Sequence, residues 1–210
     1  MHNNKFRWHI LRYLQKIGLF LPLIFWLLLL YAFDEPLAAT LTLLAAIIHE
    51  FGHQLCALCI QGGISDMRST LYGFRIKKNA NLSFINEFII YAAGPLANVL
   101  AALAGFLIPL SLCESANEYL HSFIVINLAT AFSNILPIKG YDGYGMLSAL
   151  MMHRNFSDTC FRVLSHISLF ISAFVCILAL YIMARIGDGY WIYGIFVFSL
   201  VSGSAEGLRK

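Results

Sequence analysis

Charge is what this sequence has least of. Asp, Glu, Lys and Arg make up only 12% of its 210 residues. An ordinary soluble domain carries about a quarter. With 60% hydrophobic residues and a mean hydropathy of +0.74, the composition excludes a soluble globular domain. It points to an all-α polytopic membrane protein in the lipid bilayer, built as one compact bundle with no room for a large second domain. A coherent basic face outside the membrane is missing, which excludes nucleic-acid binding. A disulfide framework is missing too. The five cysteines, Cys56, Cys59, Cys113, Cys160 and Cys176, are odd in number and mostly fall in apolar stretches. Cys56 and Cys59 form a CxxC that reads as two small apolar residues one helical turn apart. There is no internal repeat, no low-complexity tract and no soluble appendage.

A membrane helix needs about 20 largely apolar residues. Six stretches qualify, near 17–33, 37–60, 86–110, 118–138, 160–184 and 189–205. The basic start and the first apolar core resemble a signal peptide. Asp34-Glu35-Pro36 follows that core without a small-x-small cleavage site, so it reads as an uncleaved first span. Lys5, Arg7, Arg12 and Lys16 precede it with no acid among them. Arg68, Arg75, Lys77 and Lys78 cluster in the longest polar connection, and Arg209-Lys210 closes the chain. By the positive-inside rule both termini and the 62–85 connection face the cytoplasm. The opposite connections hold Asp34, Glu35, Glu114 and Glu118, and only Arg185, beside Asp188, breaks the pattern.

The 62–85 connection carries its own signal. In "TLYGFRIKK", Tyr72, Phe74 and Ile76 alternate with Gly73, Arg75 and Lys77, which is the period of a strand. Gly62-Gly63 offers a flexible entry, and Asn79-Ala80-Asn81 could turn the chain back. A short strand or hairpin at the cytoplasmic membrane edge is expected there. The third span contains "AAGPLANVLAALAG", whose small residues let helices approach closely. Pro95 within it frees a backbone carbonyl that a neighbour must satisfy.

Against this apolar background "AIIHEFGHQL", residues 46–55, stands out. A strongly polar group in hydrocarbon costs on the order of 2.5–3.5 kcal/mol even on a lenient scale, so three in one turn need a role. His49 and His53 are four residues apart and point the same way from a helix. Two imidazole nitrogens at that spacing can reach one metal ion at about 2.0–2.1 Å. Glu50, on the adjacent flank, can contact a water there without occupying a ligand position. This is the H-E-x-x-H arrangement of zinc hydrolases.

A catalytic zinc commonly takes three protein ligands and keeps a fourth position open. The candidates for the third are Asp142, His121 and His166. Asp142 is favoured by its setting, "NILPIKGYDGYGML": Gly140, Gly143 and Gly145 would allow an unwound backbone, and Pro137 marks a break in the preceding helix. Irregular backbone at membrane depth belongs where it lines a cavity. His121 falls near the far end of its span. His166 reads as a hydrogen-bonded structural residue, and His2, His9 and His153 lie in polar flanks.

Taken together, "HEFGH" at 49–53, "GPLAN" at 94–98 and "NILPIKGYDG" at 134–143 resemble the motifs of the site-2 protease family of intramembrane zinc metalloproteases. The resemblance covers the central spans, about 37–60, 86–110 and 118–145, and implies a single metalloprotease domain over 1–210. It implies Zn2+ held by His49, His53 and Asp142, with Glu50 as catalytic acid/base. It places Asn98 and Asn134 near the site, as donors to the substrate backbone or oxyanion, or as bonds between helices. Its strand-forming element is similar to the 62–85 segment. Tyr72, Gly73 and Phe74 could then pair with an unwound substrate. The compact plan is similar to the sporulation-type branch, without PDZ or CBS domain, which implies a bacterial cell membrane. Tyr141 departs from the pattern, since leucine commonly precedes that aspartate.

The expected activity is hydrolysis of peptide bonds within or near transmembrane segments of a membrane protein or peptide. A regulatory membrane partner or homo-oligomer is compatible with it. The competing expectation is a metal-binding membrane protein without protease activity, a zinc carrier or an inactive relative. The carrier should spread polar residues along a path through several spans, and the inactive relative should lack Glu50.

Overall fold

The structure, a computed structural model, describes residues 36–61, 67–70, 73–76, 82–108 and 114–186. Among these are five helices and two short strands: α1 (Pro36–Gln61), β1 (Met67–Thr70), β2 (Gly73–Ile76), α2 (Phe84–Phe106), α3 (Glu114–Ile135), α4 (Asp142–His153) and α5 (Asp158–Ile186). The spans expected near 17–33 and 189–205 lie outside the described residues. Three of the helices are long and apolar enough to cross a membrane, over Pro36–Ile60, Phe84–Phe106 and Asp158–Leu178.

Helix α2 is the hub, touching α1, α3 and α4. The seam between α1 and α2 follows from one periodicity. Ala45, His49, His53 and Ala57 recur every four residues and are all buried. Ile90, Gly94, Asn98 and Ala102 do the same on α2. Rows of i±4 side chains pack into each other when both are narrow enough. They are narrow here: a Cβ built on Gly52 would sit 2.6 Å from the Ala93 carbonyl oxygen and 2.7 Å from the Ala97 Cβ. Small residues therefore set how near the two helices come, and any polar group on either row must find its partner across the seam.

α2 starts at a defined cap, with the Ser83 hydroxyl accepting from the Asn86 N–H at 3.2 Å. α3 ends at Ile135, two residues before Pro137, whose ring disfavours helical backbone at Leu136. A tight turn follows, with the Ile138 carbonyl accepting from the Tyr141 N–H at 2.9 Å. Gly140 in that turn has φ +101°, a conformation that side chains with a Cβ avoid.

Here the fold differs from the expectation of unwound backbone around Asp142. The irregular stretch is only residues 136–141, and Asp142 is the first residue of α4. Gly143 and Gly145 lie inside that helix, where they permit close approach. A Cβ on Gly143 would run into the Ile135 carbonyl, and one on Gly145 would sit 2.6 Å from the Tyr91 ring.

α5 meets the rest of the bundle at α4 and the preceding turn. Buried Ser168 accepts from the Lys139 backbone N–H at 2.7 Å, and Ser165 lies 3.1 Å from the Tyr144 hydroxyl. β1 and β2 pair antiparallel, with Ser69 opposite Phe74 and Thr70 opposite Gly73. Gly73 therefore sits at the turn end of β2. Tyr72 and the expected Asn79-Ala80-Asn81 turn lie outside the described residues.

Candidate metal centre

Three side chains from two distant parts of the chain converge beside α2. His49 and His53 come from one face of α1, and Asp142 from the start of α4. The Asp142 Oδ2 lies 2.9 Å from His49 Nε2 and 3.1 Å from His53 Nε2. The two Nε2 atoms are 3.2 Å apart. Both histidines are buried, and the Asp142 side chain is 14% exposed.

The far side of each ring determines what faces the centre. His53 Nδ1 lies 2.7 Å from the Ile90 carbonyl oxygen, which can only accept, so Nδ1 carries the proton. His49 Nδ1 donates to Asn98 Oδ1 at 2.8 Å. That amide is oriented by its own partners, since its Nδ2 donates to the Ala45 carbonyl at 2.9 Å. With the proton on Nδ1, the neutral form of each imidazole presents its Nε2 lone pair to the centre. Two lone pairs and a carboxylate oxygen then meet within 3.2 Å. In that form the three atoms suit a shared cation, whereas a proton on one imidazole would make an ion pair with Asp142 at the same distances.

The residues fit such a cation. These ligand atoms all lie within 4.8 Å of one another, the only such group of three among the described residues. Two ligands at tetrahedral angles on zinc, each about 2.0–2.1 Å from it, are about 3.3 Å apart. The observed separations of 2.9 to 3.2 Å are close to that. The histidines have the outer partners that metal-binding imidazoles characteristically use. Space is kept open by Gly94 on α2, where a Cβ would lie 2.6 Å from His53 Cε1 and 2.8 Å from His49 Cε1.

Glu50 is half-buried and close enough to interact electrostatically with His53, His49 and Asp142. It is not among the three converging ligands. Asn98 is fully buried behind His49, and both its amide protons are engaged, with Ala45 and with Asn127. To donate to a substrate it would have to break one of those bonds. Asn134 turns back onto its own helix, donating to the Thr130 carbonyl at 3.0 Å. Of the other histidines weighed for the third position, His166 is exposed, its Nδ1 2.7 Å from the Arg162 carbonyl of its own helix, and His121 is exposed on α3. Neither joins the cluster. Cys56, Cys59, Cys160 and Cys176 are free thiols.

Asn127, the fully buried amide that contacts Asn98, is not singled out by the sequence motifs. The available signal was a lone amide in the apolar run "FIVINLATAF" of α3. In the sequence, Gly94 is one small residue among several.

No protein-family model and no curated protein matches the sequence. Among solved structures, the site-2 protease from Methanocaldococcus jannaschii matches with a TM-score of 0.58 and 16% identity, over 90% of this chain and 88% of that one. At that identity the likeness speaks for the fold. The chain thus has a helical fold similar to that of a site-2 protease, and it brings His49, His53 and Asp142 together as a group able to hold a metal ion.

Proposed function

We propose that this chain is an intramembrane zinc metalloprotease that cleaves other membrane proteins within or near their transmembrane segments. The observation that carries this reading is the convergence of two Nε2 atoms and one carboxylate oxygen, with Glu50 beside them and apolar helices around them. His49, His53 and Asp142 would hold the metal. A bound Zn2+ supplies a Lewis acid for the scissile carbonyl and lowers the pKa of water toward about 7.

The remaining work belongs to the chain. Glu50 takes a proton from the attacking water and returns it to the leaving nitrogen. Its place one residue after His49 keeps it at the centre while the two histidines, a full turn apart, take the ligand positions. Asn98 holds His49 in the tautomer that leaves Nε2 free. The small-residue seam of α1 and α2 brings both rings to one point in a region where few other polar groups are buried.

A substrate helix hides its amides in its own hydrogen bonds, so it must unwind first. The Tyr72-Gly73-Phe74 stretch is proposed to pair with the unwound segment, since β2 has β1 on one edge and no second strand among the described residues. The cytoplasmic orientation of both termini and of the site is part of the same proposal, as are a bacterial source and the compact sporulation-type plan.

Glu50→Gln tests the reading. The variant, reconstituted with a single-span substrate, should bind metal like the unchanged chain and lose cleavage by at least about a hundredfold, the lower range for a general acid–base group. Undiminished cleavage would refute the mechanism. Metal uptake into vesicles that survives Glu50→Gln would instead favour a carrier.

A further inference from the structure

Beyond the site itself, the polar groups buried among α1, α2 and α3 form one directed chain. Asn127 Nδ2 donates to the Phe123 carbonyl at 2.9 Å. That carbonyl can only accept, so the amide of Asn127 is fixed with Oδ1 turned to α2. There it accepts from Asn98 Nδ2 at 2.9 Å. Asn98 Nδ2 also donates to the Ala45 carbonyl, one turn before His49 on α1. Both amide protons of Asn98 are then engaged, and its Oδ1 is left to accept from His49 Nδ1. Backbone carbonyls on α3 and α1 thus anchor the polarity of the series at both ends. Neither amide can flip without setting oxygen against oxygen.

From this geometry we infer that Asn127 is a positioning residue for the metal centre, acting through Asn98 on the tautomer and aim of His49. The inference rests on the metal reading of the cluster. Asn127 is not needed to complete a ligand set, and its hydrogen bonds go to Asn98 and to the Phe123 carbonyl. Its only contribution at the centre is to take the second proton of Asn98. Without that acceptor, a fully buried N–H loses its partner. The Asn98 amide is then free to rotate away from the orientation that holds His49.

Two substitutions separate this role from simple packing. In Asn127→Ser the short hydroxyl can bond the carbonyl of its own preceding turn but does not reach Asn98. In Asn127→Asp the acid form matches the amide in shape: its O–H can donate to the Phe123 carbonyl while its other oxygen still faces Asn98. Zinc affinity is measured on the purified full chain in detergent, by competition with a chromophoric chelator, with helix content and thermal stability recorded alongside. Outer partners of metal-binding histidines are worth about 10–100-fold in affinity. Asn127→Ser is expected to bind zinc about tenfold more weakly, and Asn127→Asp within about threefold of the unchanged chain, on the same scale.

Equal zinc affinity in Asn127→Ser and the unchanged chain, even with lowered thermal stability, would overturn the inference and leave Asn127 a packing residue. Should Asn127→Ser not fold, Asn127→Asp decides, and a tenfold loss there overturns it as well. Failure of the underlying reading looks different: the unchanged chain itself would then bind no zinc.

Discussion

The two halves of the candidate metal centre are supported in different ways. His49 and His53 stand on a rigid seam. α1 and α2 touch through glycine and alanine, and each imidazole is tied across that seam by its Nδ1. Asp142 arrives from the other side on a turn of six residues, 136–141, before α4 begins. That turn is steadied from α5 by one hydrogen bond, Ser168 accepting from Lys139 N–H, and α4 by the Ser165–Tyr144 contact. The histidines are held by packing that cannot be adjusted locally. The aspartate also rests on close packing, Gly143 against the Ile135 carbonyl and Gly145 against Tyr91 of α2, and only its support from α5 consists of single hydrogen-bond contacts that can give. A centre built this way can tolerate small movements of α5, whereas a displacement at α2 should be transmitted to the ligands.

Substitutions can break that contrast. The largest effect is expected at Gly94. Its added methyl group in Gly94→Ala would fall 2.6 Å from His53 Cε1 and 2.8 Å from His49 Cε1. Metal content of the purified variant should fall to background while helix content by circular dichroism is retained. Full metal content would show that the seam is softer than argued.

Asn98→Leu comes next. It removes the acceptor of His49 Nδ1 and leaves Asn127 Oδ1 facing an apolar group. The expected loss is about 10–100-fold in zinc affinity, read by chelator competition. The smallest effect is expected on the aspartate side. Ser168→Ala deletes one neutral hydrogen bond, worth about 0.5–1.5 kcal/mol. Zinc affinity should then fall by no more than about tenfold, the equivalent of that energy. If Ser168→Ala were as damaging as Asn98→Leu, the two supports would be alike and the contrast would be wrong.

How far the sequence speaks for this arrangement varies by residue. His49 and His53 were legible because the helical period alone puts them on one face, and burial of two imidazoles in an apolar helix needs a reason. Asp142 was legible from its setting, but its backbone was misread. The glycines beside it suggested an unwound backbone, whereas Met146, Leu147, Ala149 and Leu150 sustain a helix, and Gly143 and Gly145 serve its packing against Ile135 and Tyr91.

Helices α1, α2 and α5 were expected from apolar length, with ends displaced by a few residues; α3 forms near its expected place but is not among the three helices long and apolar enough to cross a membrane. The role of Asn127 was not legible, because it depends on which face of α3 meets α2, and the period of one helix does not reveal its neighbour. Likewise, an asparagine near a metal site can face the substrate or support a ligand. Only the positions of Ala45, His49 and Asn127 around Asn98 distinguish the two.

The most direct measurement is the metal content of the purified full chain beside Asp142→Ala, by mass spectrometry of the elements. One zinc ion per chain, lost or sharply reduced when Asp142 is replaced, is the predicted result. A chain that carries no metal after exposure to zinc, or one whose zinc is indifferent to Asp142→Ala, would contradict the account.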